Sequence, residues 1–282
     1  MPIKQFKNHD SMKINLTLFT FAFLLFTFLG CNVNKAKIDN DLKKYFDAKN
    51  ADGCFTMLDN GTGKITVYNM GMDTTRVVPG GTFNIVTSLI GLETGKIPDE
   101  KMVIKWDGTK HSQNDWNQDL DLKQAFKFNA EPYFSEVARR VGPDSMKLYV
   151  DSIAYGNKNF NIPTDSTWPD IHLKISPDEQ LGLVKKLFFD QLPFRKSAQQ
   201  TIRNMMLQVD NTAYKLSYAT GEGLDQNNNS IGWLIGWVQE NGHVFFFVTL
   251  LKSKDPNFDM SASCISITKD ILKNYGFLEG KK

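Results

Sequence analysis

Residues 231–251 read IGWLIGWVQENGHVFFFVTLL, and this stretch decides the fold class. Two apolar runs, 231–239 and 243–251, are joined by Glu240-Asn241-Gly242. Asn-Gly between two such runs is a strong signal for a tight turn, so the stretch predicts a hairpin of two buried strands. The run 214–220 before it predicts a third strand.

Strand signals return near the other end of the chain. CFTMLD (54–59) and KITVYN (64–69) are separated by Asn60-Gly61-Thr62-Gly63, which predicts a second hairpin. Between the two hairpins lie a helix at 82–94, apolar on more than one face and closed by Gly95, and helical signals over 122–206. Short helices are predicted at 41–49, before the first hairpin, and at 263–275, after the second. Strands at both ends with helices between them predict an α+β fold, with one antiparallel sheet built from both chain ends and a mostly helical region inserted.

The first thirty residues have the pattern of an export signal. Lys4, Lys7 and Lys13 precede the apolar run 14–29, which is shorter than the ~20 residues that span a membrane. The run ends in Gly30-Cys31, which resembles a bacterial lipobox. We therefore predict a lipoprotein signal peptide at 1–30, a polar tether at 31–41 after a lipidated Cys31, and a folded domain at 42–282. An ordinary signal peptide, an uncleaved anchor and a start at Met12 are the alternatives.

Composition excludes some functions. The chain has 33 basic and 31 acidic residues, with no basic stripe, so we expect no nucleic-acid partner. The 3 cysteines and 4 histidines are dispersed and form no metal-binding spacing, so neither a metal nor a cofactor is expected. Cys54 and Cys264 could be bridged or could be two buried free thiols, and the sequence favours the thiols.

Seven short segments, in order and at fixed spacing, carry a family resemblance. They resemble the class D (oxacillinase-type) β-lactamases and the related penicillin-binding sensor domains, over nearly the whole chain after residue 41. This resemblance implies the serine β-lactamase/penicillin-binding (DD-peptidase-like) fold. The segments are Phe55-Thr-Met-Leu-Asp59, Thr66-Val-Tyr-Asn69, Gly91-Leu-Glu-Thr-Gly95, Trp106-Asp-Gly108, Tyr155-Gly-Asn157, Gln191-Leu-Pro-Phe194 and Gly232-Trp-Leu-Ile-Gly-Trp237.

The resemblance also implies where a catalytic site would lie. The family attacks its substrate with the serine of an STFK tetrad, activated by the lysine three residues later. The tetrad position here reads Gly81-Thr82-Phe83-Asn84, so glycine replaces the nucleophile and asparagine replaces the base. Asn129 stands at the serine of the SxV motif and Ala219 at the lysine of the Lys-Thr-Gly motif. The substrate-binding arginine is also absent, with Cys264 at or near its position. We therefore expect no intact catalytic residue.

The pocket itself is expected to persist. Backbone N–H groups of Gly81 and Glu222 could still form an oxyanion-type site, with Gly81 at a helix N-terminus that favours an anion. Against an anion, two cations are missing and Glu131 adds a negative charge. The residues expected to line the pocket are Thr82, Phe83, Glu131, Tyr155, Trp168, Thr220, Gly221 and Glu222.

These features predict a catalytically inactive lipoprotein of the bacterial cell envelope. Its lipid on Cys31 would hold it in the membrane, facing the periplasm or the exterior. It would bind a peptidoglycan peptide or an envelope protein without forming a covalent bond. The alternative is a diverged class D β-lactamase or transpeptidase that acts on β-lactams or stem peptides with unorthodox residues.

Overall fold

A seven-stranded sheet with the order β1-β3-β2-β7-β6-β5-β4 lies at the centre of the described structure. The computed structural model describes residues 36–160 and 172–280. Neighbouring strands are antiparallel, except that β1 is parallel to β3. The strands are β1 (Lys37–Ile38), β2 (Asp52–Asp59), β3 (Ile65–Tyr68), β4 (Leu207–Asp210), β5 (Tyr214–Leu224), β6 (Ser230–Glu240) and β7 (His243–Ser253).

Helices cover both faces of the sheet. One face packs against α1 and α9, with Phe46, Phe247 and Ile271 in its core. The other face packs against the helices inserted between the two hairpins, with Phe83, Trp233 and Phe246 in a larger core. The α-helices of the described residues are α1 (Lys43–Asp47), α2 (Met70–Asp73), α3 (Asn84–Glu93), α4 (Leu122–Phe128), α5 (Glu131–Val141), α6 (Pro143–Ser152), α7 (Pro177–Phe188), α8 (Lys196–Met206) and α9 (Met260–Asn274).

The central helix α3 is buried on all sides, as its apolar sequence predicts. Residues 84–92 are all buried, including the polar Thr87 and Ser88. Both hydroxyls donate hydrogen bonds to carbonyls one turn back, Thr87 to Phe83 and Ser88 to Asn84, so neither is left unpaired. A helix surrounded by protein in this way fixes the position of whatever lies at its N-terminus.

The α+β prediction is confirmed, with one sheet built from both chain ends around a helical region. The third strand is longer than the sequence indicated, since β5 continues from Thr220 to Leu224. The predicted helix at 82–94 is instead a 3₁₀ turn, Gly80–Phe83, followed by α3. The short edge strand β4 was not predicted, because its mixture of apolar and polar residues directly continues the pattern of α8.

The predicted tether 31–41 is structured at its end. Ile38 pairs with Val67 in the sheet, and the Asp39 N–H donates to the Val67 carbonyl at 2.8 Å. The Tyr275 hydroxyl donates to the Asp39 carboxylate at 2.8 Å, so the start of the domain is attached to its last helix. The predicted signal peptide at 1–30 and Cys31 lie outside the described residues. Within the described ranges, no helix has the length and apolarity needed to cross a membrane.

The Tyr155-Gly156-Asn157 segment holds the chain after α6 against residues 172–175. Gly156 has φ +49°, and a Cβ there would lie 1.9 Å from the Lys174 carbonyl oxygen. The Asn157 side chain donates to the His172 carbonyl at 2.8 Å and accepts from the Lys174 N–H at 3.0 Å. The segment therefore has a structural task in this chain, which requires glycine and asparagine at these places.

One carboxyl group is buried without full hydrogen bonding. Asp73, at the end of α2, is 3% exposed, and its Oδ1 has no hydrogen-bond partner among the described residues. Burial, together with the nearby negative charge of Asp178, raises the pKa of Asp73 to about 7. The pKa of this carboxyl group is higher in the folded state than in the unfolded state. At any pH where the unfolded chain ionises the group more readily, the difference therefore lowers the stability of the fold.

We predict that the contribution of Asp73 to the free energy of unfolding falls as pH rises from about 4 to about 7, and that Asp73→Asn removes this contribution. Below pH 4 the carboxyl is protonated in both states. Between pH 4 and 7 only the unfolded state releases its proton, at about 1.4 kcal/mol per pH unit. Urea unfolding at pH 4, 6 and 8 should show the variant more stable than the wild type by a few kcal/mol at pH 8. Asp52→Asn, which changes an exposed carboxylate, is the control; equal pH profiles for wild type and Asp73→Asn would contradict the prediction.

Candidate functional site

A cavity of about 420 Å³ opens between the start of α3, strand β5 and the α4–α5 junction. We call it the Gly81 cavity. It is lined by Gly81, Asn84, Gln113, Asp115, Trp116, Lys127, Phe128, Asn129, Glu131, Thr220, Glu222 and Ser261.

The floor of the cavity is a backbone contact between the Gly80–Phe83 turn and β5. A Cβ at Gly80, whose φ is +51°, would lie 2.2 Å from the Glu222 carbonyl oxygen. A Cβ at Gly221 would lie 2.3 Å from the Thr82 nitrogen. Only glycine at both positions lets the two backbones approach this closely. The contact places Gly81 beside the β5 residues that line the cavity.

Strand β5 presents an edge to the cavity. Strand β4 pairs with only its first part, Lys215–Ser217. From Thr220 to Glu222 no described strand pairs with that edge. Side chains two residues apart lie on the same side of a strand, so Thr220 and Glu222 both face the cavity.

Three side chains form a polar chain across the cavity. The Asn84 Nδ2 donates to Asn129 Oδ1 at 3.4 Å, and Asn129 Nδ2 donates to the Thr220 hydroxyl at 3.4 Å. Asn129 caps α4 at its C-terminus with φ 49°, a left-handed conformation that asparagine tolerates better than most residues. The amide of Asn129 therefore bridges the helical region and the sheet.

The Asn129 amide also covers Gly81. A Cβ at position 81 would lie 2.8 Å from Asn129 Oδ1 and 3.1 Å from the Gly221 Cα. A Cβ at residue 81 would therefore displace the end of the Asn129 side chain, which can move by rotation, while the contact with the Gly221 Cα is tight but tolerable. The space in which a side chain at position 81 would begin is thus already occupied by Asn129.

Charge around the cavity is mostly negative. Among the described residues of its lining, Asp115, Glu131 and Glu222 carry carboxylates and Lys127 is the one basic side chain. The Glu222 Oε1 accepts from the Ser261 N–H at 3.0 Å, at the first turn of α9, where a carboxylate is stabilised by the helix dipole. The positive end of the α9 dipole is therefore already paired with the Glu222 carboxylate of the protein itself.

Several residues expected to line the pocket lie instead in the layer beneath it. The side chains of Thr82, Phe83 and Tyr155 are almost completely buried and are absent from the lining. Thr82 donates to the Pro79 carbonyl at 2.7 Å and accepts from the Gln180 amide at 2.8 Å, which turns its hydroxyl inward. The Phe83 ring packs 5.2 Å from that of Tyr155, centroid to centroid. These three side chains support the cavity floor.

The remaining sequence-derived residues divide into two groups. Glu131, Thr220 and Glu222 lie in the lining together with Gly81, Asn84 and Asn129. Gly221 contributes backbone to the floor, Ala219 is buried outside the lining, and Trp168 lies outside the described residues. Cys54 and Cys264 are both buried free thiols, and burial raises the pKa of each. No group of three His, Cys, Asp or Glu side chains within 36–160 and 172–280 could hold a metal ion.

Sequence reasoning missed half of the lining. Lys127 and Phe128 directly precede Asn129, so their proximity to a singled-out position was an available signal. Asp115 and Trp116 lie on the short 3₁₀ helix Asn114–Trp116, Gln113 precedes it, and Ser261 lies at the start of α9. Only the folded chain brings these residues to the cavity.

Comparison with known proteins identifies the family. The Penicillin binding protein transpeptidase domain family matches residues 53–273, so the chain belongs to this family. Regulatory protein BlaR1 of Bacillus licheniformis is 32% identical over 228 residues, which cover 81% of this chain but only 38% of that protein. Beta-lactamase OXA-5 of Pseudomonas aeruginosa is 31% identical over 263 residues, which cover 92% of this chain and 98% of that one.

Solved structures agree with these relatives. The C-terminal domain of the Bacillus licheniformis BlaR penicillin-receptor has a TM-score of 0.81 and 30% identity, and the match covers 88% of this chain and 99% of that one. The class D β-lactamase YbXI from Nostoc has a TM-score of 0.79 and 28% identity, and the match covers 85% and 100% of the two chains. The predicted resemblance to class D β-lactamases and penicillin-binding domains is confirmed.

We predict that Gly81→Ser destabilises the protein by about 1 kcal/mol, because its Cβ displaces the Asn129 amide from its hydrogen bonds with Asn84 and Thr220. In an Asn129→Ala background the same change should cost clearly less, since the obstructing amide is gone. Urea unfolding of the four proteins of this double-mutant cycle measures the coupling. Gly182→Ser is the matched control, because no heavy atom lies within 4 Å of a Cβ at that helical glycine. The same cost in both backgrounds would show that Asn129 is not the obstruction.

Proposed function

We propose that this protein binds an extended peptide of the bacterial cell envelope in the Gly81 cavity, without acylation. The peptide is a cell-wall stem peptide or a segment of an envelope protein. The observation that carries the proposal is the position of the Asn129 amide, which fills the space next to Gly81 where the side chain of a nucleophile would project.

The chemistry of the lining supports binding over covalent catalysis. Asn84, three residues after Gly81, carries an amide, which does not act as a base near neutral pH. The Thr220 hydroxyl accepts its hydrogen bond from the Asn129 amide at 3.4 Å, a group that cannot remove a proton. In serine hydrolases, loss of the nucleophile alone or of its base alone lowers the reaction rate by a factor on the order of 10⁴ or more.

The shape of the site supports an extended peptide. The edge of β5 at Thr220–Glu222 offers backbone groups that a peptide can pair with as an added strand. A cavity of about 420 Å³ beside that edge is large enough for a few side chains. A related domain of the same fold is named as a penicillin receptor, so a receptor role already occurs on this scaffold.

The charge of the site suggests which end of a peptide it prefers. The sequence favoured a carboxylate or a peptide terminus near Gly81. Asp115, Glu131 and Glu222 outnumber Lys127 in the lining, and the nearby helix terminus is matched by Glu222. We therefore propose that an ammonium group of the peptide, rather than its carboxylate, lies in the cavity.

Location in the cell follows the sequence prediction. A signal peptide at 1–30 and a lipid on Cys31 would attach the domain to a membrane of the envelope, on its periplasmic or exterior side. Lipid anchoring keeps a domain within reach of cell-wall peptides without a membrane-spanning segment.

Incubation of the purified full-length protein with a fluorescent penicillin tests the absence of acylation. We expect no labelled band after denaturing electrophoresis and no added mass in intact-protein mass spectrometry, because the lining offers no activated nucleophile. The triple variant Gly81→Ser, Asn84→Lys, Asn129→Ser is the informative comparison, since it also removes the obstructing amide. A labelled wild-type protein would overturn the proposal and favour the alternative of a diverged class D β-lactamase or transpeptidase.

Peptide binding is tested by calorimetric titration with a synthetic stem pentapeptide that carries a free side-chain ammonium. We expect Thr220→Val to weaken binding by about tenfold, because it removes a hydrogen-bonding group from the cavity edge without changing its shape. Thr75→Val, at an exposed threonine outside the cavity, should leave affinity unchanged. Acetylation of the peptide ammonium should also weaken binding; tighter binding of the acetylated peptide would contradict the charge preference.

A further inference from the structure

A second cavity, of about 510 Å³, lies between residues 103–107 and the helix α5. We call it the Trp106 cavity. Trp116 lines both this cavity and the Gly81 cavity. Its volume falls within the range of cavities that hold small molecules.

Both tryptophan side chains of this cavity are held by hydrogen bonds within the protein. The Trp106 Nε1 donates to the Thr109 carbonyl at 2.7 Å, and the Trp106 backbone N–H donates to the Asp119 carboxylate at 2.9 Å. The Trp116 Nε1 donates to the Phe128 carbonyl at 3.0 Å. The polar atoms of both indoles are thus engaged, and a ligand in the cavity can meet only their carbon surfaces.

Trp106 keeps a large apolar surface in contact with solvent. Its side chain is 41% exposed although it is fixed at both its backbone and its ring nitrogen, and the adjacent Val103 is 52% exposed. Trp106 and Val103 therefore both offer apolar surface to a ligand in this cavity. The position of the ring is set before any ligand arrives, which lowers the entropy cost of binding.

The charged side chains of the Trp106 cavity are balanced. Among the described lining residues, Lys105 and Arg140 are basic and Asp107 and Glu136 are acidic, and Arg140 pairs with Glu136. The hydrogen bonds from Arg139 and Arg140 lower the pKa of Glu136 to about 2, so its carboxylate is ionised near neutral pH. These side chains offer both donors and acceptors of hydrogen bonds, and their charges sum to zero. The lining therefore favours a neutral ligand that is rich in hydroxyl groups.

We propose that the Trp106 cavity binds a sugar ring of the pyranose class. One face of such a ring is composed of C–H groups and packs on an indole, while its hydroxyls can donate to the carboxylates and accept from the basic groups. This site is distinct from the proposed peptide site and does not depend on it. If one molecule occupied both sites, its sugar would lie in the Trp106 cavity and its peptide in the Gly81 cavity, and Trp116 would be a lining residue of both.

Saturation-transfer NMR with the full-length protein and chitotriose, a trimer of β-linked N-acetylglucosamine, tests the proposal. We expect transfer to the sugar ring protons with millimolar affinity or tighter. Trp106→Ala should weaken binding by about tenfold and Trp106→Phe by less, because phenylalanine keeps part of the stacking surface. Leu148→Ala, at a residue that is 66% exposed on α6 and outside the cavity, should have no effect.

A second pair of variants keeps the test independent of any folding defect at Trp106. Arg139 and Arg140 both pair with Glu136, at 2.6 and 2.7 Å, but only Arg140 lines the cavity. Arg140→Ala should therefore weaken sugar binding several-fold, whereas Arg139→Ala should not, with circular dichroism used to check that each protein is folded. No transfer from wild-type protein up to about 10 mM sugar, or equal affinities for the two arginine variants, would overturn the proposal. Peptide titrations of the same variants report on the Gly81 cavity separately, so failure at one site is distinguishable from failure at the other.

Discussion

The site depends on a contact between two stretches of backbone, the Gly80–Phe83 turn and strand β5. Side chains are excluded from it, since a Cβ at Gly221 would lie 2.3 Å from the Thr82 nitrogen. The contact joins the N-terminal end of the buried helix α3 to a strand edge, so the helical region and the sheet meet at a fixed distance. Asn129 can then reach both Asn84 and Thr220 with one short side chain. The polar chain across the Gly81 cavity is a consequence of this close approach.

Much of the fold could be predicted because its signals are local. Asn241-Gly242 and Asn60-Gly61 mark the two hairpins, and the apolar run of α3 marks a buried helix. The pairing of β1 with β3 could not be predicted, since Lys37–Ile38 is too short to show a pattern. The strand is held by pairing with Thr66–Val67 and by the bond from Tyr275 to the following Asp39. The 3₁₀ turn before α3 was also hidden, because it depends on the packing of Gly80 against the Glu222 carbonyl.

The sequence predicted those residues of the candidate site that stand at the motif positions of the family, but it predicted fewer of the residues that surround them. Gly81, Asn84, Asn129, Glu131, Thr220 and Glu222 meet in one cavity. The inward orientation of Thr82 depends on Gln180, which lies 98 positions along the chain and carries no motif. Equally, the sequence shows that residue 81 has no side chain, but only the structure shows that a neighbour fills the space. The negative balance of the lining arises from Asp115 and Glu222, which only tertiary structure brings together.

The position of Asn129 also has a consequence for the evolution of this protein. A serine that arises at residue 81 by mutation meets the Asn129 amide, and a change at residue 129 alone removes a bridge between Asn84 and Thr220 without supplying a nucleophile. The effects of substitutions at residues 81 and 129 are therefore expected to depend on each other, since both residues compete for the same space. Related sequences that carry a side chain at residue 81 are therefore expected to differ from this protein at residue 129 as well.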